Sequence, residues 1–171
     1  MSRSAVRRSK YRVPLILAAL VVVVDQFCKW AVEAYMPFQV KWDVLPFFAL
    51  FRTYNEGIAF SMLSGLGAGP LIALATGVSL FVLWLWRDSA PERVLSHFGF
   101  ALIIGGAVGN LIDRARLGYV IDYFLFHLPE WSFAVFNLAD SAITVGAGLV
   151  LLDELITWWR QSEKETTTGE S

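Results

Sequence analysis

Two aspartates, Asp122 and Asp140, have the sequence surroundings best suited to chemistry. Asp122 stands in the apolar segment 119–124, Tyr-Val-Ile-Asp-Tyr-Phe, with no basic residue beside it. Burial in such surroundings disfavours the ionised form of a carboxyl group. If the fold brings Asp122 against Asp140, the two carboxylates repel each other, and one proton shared between them becomes the stable state near neutral pH.

A carboxyl pair of this kind can hydrolyse a peptide bond. The ionised member removes a proton from water, and the protonated member polarises the scissile carbonyl group. No other arrangement competes, because Cys28 has no base near it in the sequence and His127 has no nucleophile. One cysteine and two distant histidines indicate neither a disulfide framework nor a zinc site, so we expect no metal and no cofactor. The residues permit an aspartate pair without establishing one.

Other polar residues lie in the same layer as these aspartates. Asp25 and Lys29 stand late in the first apolar stretch, and Asn110, Asp113 and Arg114 stand at the end of the third. Asp25 and Lys29 are spaced i,i+4 and can pair across one helical turn. An ionisable group inside a bilayer costs several kcal/mol, so each of these groups needs a reason. The opposite halves of the apolar stretches are nearly bare of such groups.

Structural interpretations stay open for several of these residues. One interpretation of Asp25 is that it forms a hydrogen bond between two helices and has no further role. Asn137 is typical of a helix N-cap, and Asp140, three residues later, would face the positive end of that helix dipole. Capping alone would explain this pair.

Two further patterns also have structural interpretations. Arg114 and Arg116 can act as anchors at a membrane interface. The spacing Gly105-x-x-x-Gly109 is typical of a face on which another helix packs closely. Neither pattern by itself indicates a reaction.

The composition indicates a membrane protein. Of 171 residues, 56% are hydrophobic and only 17% are charged, whereas a soluble domain has about 25% charged residues. Four apolar stretches, at about 13–31, 67–86, 94–112 and 136–159, approach the roughly 20 residues that a membrane-spanning helix needs. The chain lacks a basic stripe with interleaved aromatic residues, so nucleic acid is not an expected partner.

The distribution of basic residues predicts the orientation of these spans. Lysines and arginines precede the first span, occupy the short connection after the second and follow the fourth: Arg3, Arg7, Arg8, Lys10, Arg12, Arg87, Arg93, Arg160 and Lys164. Cytoplasmic segments carry such an excess, so we expect both termini in the cytoplasm. The first span lacks a convincing cleavage site and is interpreted as a retained helix.

The connections differ in character. Residues 38–62 are rich in aromatic and β-branched residues, which predicts a small sheet on the exoplasmic membrane surface. The tail 163–171 is rich in Glu, Thr, Gly and Ser, which predicts disorder. We therefore expect one membrane domain over residues 1–162.

Five short motifs, in order along the chain, resemble those of lipoprotein signal peptidase (signal peptidase II). Each is weak alone, but the set is specific when it occurs with four spans. They are Asp25-Gln26-x-x-Lys29, Asn55-x-Gly57-x-Ala59-Phe60, Gly109-Asn110-x-x-Asp113-Arg114, Val120-x-Asp122 and Phe136-Asn137-x-Ala139-Asp140-Ser141.

The resemblance implies a fold and a set of site residues. The fold is a four-helix membrane bundle with an exoplasmic β-cradle and a short exoplasmic helix. Asp122 and Asp140 match the catalytic aspartates of the family. Residues that shape or support the site are matched by Asp25, Lys29, Asn55, Gly57, Asn110, Arg114, Asn137 and Ala139.

The resemblance also implies a reaction and its partners. The family removes the signal peptide from a prolipoprotein whose cysteine already carries diacylglycerol, and it cuts just before that cysteine without a metal. The expected setting is the bacterial cytoplasmic (inner) membrane, in contact with lipid, with the site near the exoplasmic face. The cyclic peptide globomycin inhibits the family. One chain holds all the motifs, so a monomer suffices.

Small departures and two alternatives complete the predictions. Ile58 and Tyr123 replace the alanine and phenylalanine common in the family, which bears on substrate or inhibitor preference. Residues Asp25-Gln26-Phe27 before Cys28 do not form a lipobox, so this chain is not expected to be a lipoprotein itself. A small transporter would need a polar route and often an inverted repeat. A non-catalytic assembly subunit would use the polar layer only for helix pairing.

Overall fold

The computed structural model describes residues 3–57 and 68–168, with side chains over 11–57 and 69–162. Within these residues the chain forms four helices and four short strands. In chain order they are α1 (Arg3–Tyr35), β1 (Lys41–Leu45), β2 (Phe48–Asn55), α2 (Ala68–Asp88), α3 (Val94–Leu117), β3 (Val120–Leu128), β4 (Trp131–Ser132) and α4 (Leu138–Thr168).

Each helix contains a segment long and apolar enough to cross a membrane. These segments are Tyr11–Tyr35, Gly69–Asp88, Val94–Leu117 and Leu138–Ser162. The predictions of four helices able to span a membrane and of a small sheet are therefore confirmed.

Helix boundaries extend beyond the predicted spans at several points. α3 continues past residue 112 to Leu117, because its polar last turn keeps helical hydrogen bonding until Gly118, whose φ of 86° ends the helix in a left-handed cap. α4 reaches Thr168, which lies within the 163–171 tail predicted to be disordered. Glu and Lys at 163–165 favour continuation of a helix already formed. Residues 169–171 lie outside the described residues.

α3 is the central helix of the bundle and packs against α1, α2 and α4. Small residues allow the close approach. A Cβ on Gly105 would stand 2.8 Å from the Ala18 carbonyl oxygen of α1, and one on Gly109 would stand 2.5 Å from Asp25 Oδ2. Glycine at these positions brings α1 close to α3, so the predicted packing role of the Gly105/Gly109 face matches the structure.

The strands form one antiparallel sheet in the order β1-β2-β3-β4. β1 and β2 lie in the segment predicted to be β-rich, whose residues 58–62 fall outside the described residues. β3 was not predicted as a strand, because it is buried for most of its length and therefore lacks an alternating pattern. In the register of β2 and β3, Thr53 pairs with Asp122 and Asn55 pairs with Val120.

The sheet is fixed to the end of α1. Val32 and Met36 of α1 pack against Ile121 and Tyr123 of β3. Arg52 Nη1 donates to the carbonyl oxygens of Glu33 and Met36 at the C-terminus of α1, where carbonyl groups lack intrahelical donors. We call this end of the bundle, where α1 and α3 end and α4 begins, the sheet end. Residues 36–57 and 118–137 there contain strands and turns, and the short helix implied by the resemblance is absent from them.

Candidate active site

Asn137 and Asp140 form a reciprocal cap at the start of α4. The Asp140 backbone N–H donates to Asn137 Oδ1 at 3.0 Å, and the Asn137 backbone N–H donates to Asp140 Oδ2 at 3.1 Å. This is a capping box with an asparagine and an aspartate in the two positions. The capping interpretation is therefore correct as local structure, and it also fixes the position of the Asp140 carboxyl group.

Asp122 lies on β3, where it is 2% exposed. Two amide groups donate to its carboxyl group: Asn137 Nδ2 to Oδ1 at 2.7 Å and Asn55 Nδ2 to Oδ2 at 3.0 Å. The strand places it beside the first turn of α4, because Phe124 and Phe136 form a bridge just before that helix begins. Asp122 and Asp140 thus meet around one residue, Asn137.

Asn110 completes the shell around the two carboxyl groups. Its Nδ2 donates to Asp140 Oδ1 at 2.8 Å, and its Oδ1 accepts from Asn137 Nδ2 at 3.1 Å. The hydrogen bonds to Asp122 and Asp140 therefore come from neutral amides. Among the described residues, neither carboxylate forms an ion pair.

Burial and charge change the acidity of Asp122. Desolvation is the main cause that raises its pKa to about 7, and the nearby negative charge of Asp140 acts in the same direction. The amides of Asn55 and Asn137 oppose the shift by stabilising the ionised form. Burial and the charge of Asp140 therefore favour the protonated form of Asp122.

Arg114 connects α3 to the chain that follows β2. Its Nη2 donates to the Gly57 carbonyl oxygen at 2.8 Å, and the Gly57 N–H donates to Asn55 Oδ1 at 3.0 Å. Arg114 thus fixes the turn that carries Asn55, which contacts Asp122. This contact assigns Arg114 a role inside the protein, whereas Arg116 is exposed and remains suited to an interfacial position.

Asp25 and Lys29 lie beneath this shell and are fully buried. Lys29 Nζ lies 2.8 Å from Asp25 Oδ2, so the predicted i,i+4 pair is present. The ammonium also contacts Asp113 Oδ2 at 2.8 Å and Asn110 Oδ1 at 2.9 Å. Ala139 contributes its backbone, because its N–H donates to Asp25 Oδ1 at 3.0 Å.

The structure brings together every residue predicted for the site. They are Asp25, Lys29, Asn55, Gly57, Asn110, Arg114, Asp122, Asn137, Ala139 and Asp140. The site predictions omitted Asp113 and Gln26, which contact each other at 2.8 Å, although both stand in the motifs. Ile58 lies outside the described residues. In the described part of the chain, no three His, Cys, Asp or Glu side chains are grouped as metal ligands would be.

A second polar cluster lies at the opposite end of α3. Arg93 contacts Asp153 Oδ2 at 2.9 Å through Nε and Glu154 Oε1 at 2.7 Å through Nη1. Ser96 Oγ also donates to Asp153, at 2.5 Å, and Trp86 Nε1 donates to His97 Nδ1. These contacts join α2, α3 and α4 far from Asp122 and Asp140 along the helices.

Comparison with known proteins gives consistent matches. A family model described as signal peptidase (SPase) II matches residues 17–156. Lipoprotein signal peptidases of Brucella ovis and Brucella melitensis are each 59% identical over 147 residues, which are 86% of this chain and 92% of theirs. Two bacterial membrane enzyme structures, solved by the in meso method at 1.9 and 2.3 Å resolution, superpose with TM-scores of 0.74 and 0.71 at 26% identity. They cover 84% of this chain, and 92% and 87% of their own chains.

Proposed function

This chain belongs to the signal peptidase II family, and we propose that it is a membrane aspartic endopeptidase that removes signal peptides from prolipoproteins. The observation that carries the proposal is the shared use of Asn137 by two carboxyl groups. Its side-chain amide donates to Asp122 and its backbone N–H donates to Asp140. One buried and one half-buried carboxyl group around one residue, with neutral partners, are suited to sharing a proton.

The proposed reaction uses one carboxylate and one carboxyl group. The ionised Asp140 removes a proton from water, whose oxygen attacks the scissile carbonyl carbon, while Asp122 gives its proton to the carbonyl oxygen. A tetrahedral gem-diol results. Asp140 then returns its proton to the leaving amine as the C–N bond breaks, and Asp122 recovers a proton from a gem-diol hydroxyl. The pair therefore ends with the single proton with which it began.

The electrostatics support this assignment of roles. The pKa of Asp122, raised to about 7 by burial and by the charge of Asp140, favours Asp122 as the protonated member. Asp140 accepts hydrogen bonds from Asn110 Nδ2 and from the Asn137 backbone N–H, which hold its two oxygens in place. Asp140 is therefore the proposed base and Asp122 the proposed acid.

The substrate is proposed to be a prolipoprotein that carries diacylglycerol on its cysteine. A signal peptide that leaves helical structure to be cut must find partners for its backbone groups, because lipid offers none. Arg114 and Asn55 can supply donors beside the two aspartates, because each has N–H hydrogens beyond the one used in the contacts described above. The acyl chains would stay in lipid while the peptide enters sideways, and cleavage would fall just before the modified cysteine.

We infer that the sheet end faces the exoplasmic side of the bacterial cytoplasmic membrane. Arg87, Arg93 and Arg160 lie towards the opposite end, and the first turns of α1, over residues 3–12, are rich in arginine. Such residues favour the cytoplasm. Cysteine-accessibility labelling of single cysteines placed at Glu130 and at Asp88, with Cys28 replaced by serine, tests this. A membrane-impermeant reagent added to whole spheroplasts should label position 130 and spare position 88; the reverse result would overturn the orientation.

The activity itself is tested with purified protein in detergent and a diacylglyceryl-modified prolipoprotein. We expect the intact protein to convert the precursor to its mature size, whereas Asp122→Asn and Asp140→Asn, each folded, leave it uncut. Cleavage by either variant would remove that aspartate from catalysis. A known peptidase of this family serves as the positive control on the same substrate. If that control is active and the folded parent protein is not, the polar layer would instead have an assembly or transport role.

Two further measurements define the substrate class. The same precursor without diacylglycerol should remain uncut, and globomycin should inhibit cleavage of the modified form. Equal cleavage of both precursors would show that this peptidase does not recognise the diacylglyceryl group. Resistance to globomycin with cleavage intact would contradict the expected inhibitor sensitivity while leaving the peptidase activity in place.

A further inference from the structure

The Lys29 ammonium group has three hydrogens and three acceptors. Asp25 Oδ2 and Asp113 Oδ2 each lie 2.8 Å from Nζ, and Asn110 Oδ1 lies 2.9 Å away. The group is therefore saturated, and its side chain is only 2% exposed. Asp25 belongs to α1, whereas Asp113 and Asn110 belong to α3. The Lys29 ammonium group therefore holds these three side chains in fixed positions relative to one another.

Two of these acceptors also hold the backbone next to the proposed catalytic aspartates. Asp25 Oδ1 accepts from the N–H of Ala139, the residue before Asp140, at 3.0 Å. Asp113 Oδ2 accepts from the N–H of Ile121, the residue before Asp122, at 3.4 Å. Each carboxylate of the ion cluster thus contacts the chain one residue ahead of one member of the pair.

The third acceptor reaches Asp140 through a side chain. Asn110 Oδ1 accepts from Lys29 Nζ and from Asn137 Nδ2, two groups that can only donate. The oxygen of the amide must therefore face these donors, which turns Asn110 Nδ2 towards Asp140 Oδ1 at 2.8 Å. Lys29 in this way determines which atom of Asn110 meets the carboxylate.

We propose that Asp25, Lys29 and Asp113 form a spacing clamp, in which Lys29 sets the separation and orientation of the Asp122 and Asp140 carboxyl groups. The proposal rests on the proposed function, because it assigns Lys29 as a positioning residue for that reaction. Charge neutralisation alone does not explain the cluster, since one ammonium stands between two carboxylates. Contacts to both residues that precede the aspartates are what a spacing role requires.

A change in spacing has a kinetic signature that a loss of stability lacks. If the two carboxyl groups move apart, their mutual repulsion weakens, and the proton on Asp122 is lost at a lower pH. The groups that face Asp122 are Asp140, Lys29, Arg114 and the amides of Asn55 and Asn137. The chemical step also slows while substrate binding is retained, so kcat falls and KM does not change.

The chain offers a matched control for this test. Lys29 stands between Asp25 and Asp113, and Arg93 stands between Asp153 and Glu154 at the opposite end of α3. Lys29→Arg and Arg93→Lys both keep the charge and exchange a point ammonium for a planar guanidinium, or the reverse. Both variants disturb the same central helix, but only one of them contacts the clamp.

The experiment measures kcat, KM and the pH profile of prolipoprotein cleavage for the parent protein and both variants. Lys29→Arg should lower kcat roughly 10- to 100-fold, leave KM within about twofold, and move the alkaline limb of the profile to lower pH. Arg93→Lys should leave kcat and the limb unchanged. A Lys29→Arg protein with the parent's kcat and profile, or an equal fall in Arg93→Lys, would overturn the clamp while leaving the proposed function intact.

A neutral variant covers the case in which Lys29→Arg does not fold. Gln26 Nε2 donates to Asp113 Oδ1 at 2.8 Å and to the Gly109 carbonyl oxygen at 3.2 Å. Gln26→Met loosens Asp113 without changing any charge, so kcat should fall several-fold at constant KM. An unchanged kcat there would also overturn the clamp. An inactive parent protein would instead overturn the proposed function, which is the premise of the clamp.

Discussion

The two ends of α3 each hold a cation between two carboxylates, and they differ in what surrounds that cation. At the opposite end, the Arg93 side chain is 21% exposed and Glu154 is 61% exposed. At the sheet end, Lys29 and its two partners are at most 3% exposed. The first cluster is partly exposed, whereas the second is enclosed.

The more important difference lies beyond the cations. At the opposite end the contacts described for the Asp153 carboxylate reach Ser96, whose hydroxyl donates to it. At the sheet end they continue through Asn110 and Asn137 to two more carboxyl groups with no ion-pair partner among the described residues. A buried, unpaired carboxylate lowers stability, so its presence calls for a functional explanation. The opposite-end cluster needs none beyond joining α3 to α4.

The largest expected difference comes from the same substitution at each end. Asp140→Asn should abolish cleavage, with a fall in kcat of at least about 10³-fold, because the proposed base is lost. Asp153→Asn should leave kcat within about twofold and lower the melting temperature, because Arg93 loses its more buried partner. Cleavage rates and thermal unfolding in detergent measure both. A comparable loss of kcat in folded Asp153→Asn would remove the functional distinction between the two ends.

Asn137→Ala tests the residue that both carboxyl groups share. The variant loses the hydrogen bond to Asp122 and the cap of α4, so kcat should fall roughly 10²-fold and stability by about 1 kcal/mol. Thr144→Val is the control, since Thr144 Oγ1 donates to the Asp140 carbonyl oxygen one turn into the same helix. It should lose some stability and keep kcat. Parent-like kcat in Asn137→Ala would show that the shared residue only caps the helix.

The fold was predictable to the extent that it depends on local composition. Four apolar runs gave four helices, because a helix satisfies its own backbone in lipid whatever its neighbours are. β3 was missed because a strand buried on both faces has no alternating pattern. The third predicted span ends at about residue 112, where charged residues begin, whereas α3 continues to Leu117 because charged side chains can extend a helix beyond its apolar segment.

The candidate site was predictable by residue type but not by connection. Asp122 and Asp140 stood out through their apolar surroundings and their place in the motifs. Which amide faces which carboxylate depends on contacts between residues far apart in sequence, such as Asn55 with Asp122, and no local pattern encodes them. The Arg93–Asp153 pair was not predictable for the same reason, and it lies in the halves of the apolar stretches that are nearly bare of ionisable groups.

The pH profile of cleavage tests whether Asp122, at the sheet end, donates a proton in the reaction. Its pKa is raised to about 7, and the proposed mechanism needs its protonated form. The value of kcat/KM should therefore fall above pH 7, by about tenfold per pH unit once Asp122 is largely ionised. A profile that stays flat to pH 9, with the protein folded throughout, would contradict Asp122 as the proton donor.

Of these changes, Asn55→Ala should alter the pH profile of cleavage least, and its effect should be confined to Asp122. Asn55 donates to Asp122 Oδ2 and thereby stabilises the ionised form, so removing this bond raises the pKa of Asp122 further. The alkaline limb should move to higher pH by roughly half a unit, opposite in direction to the shift expected for Lys29→Arg. Because both variants act on one carboxyl group, shifts in the same direction would contradict the account of its surroundings. Opposite shifts would separate a change in hydrogen bonding to Asp122 from a change in its distance to Asp140.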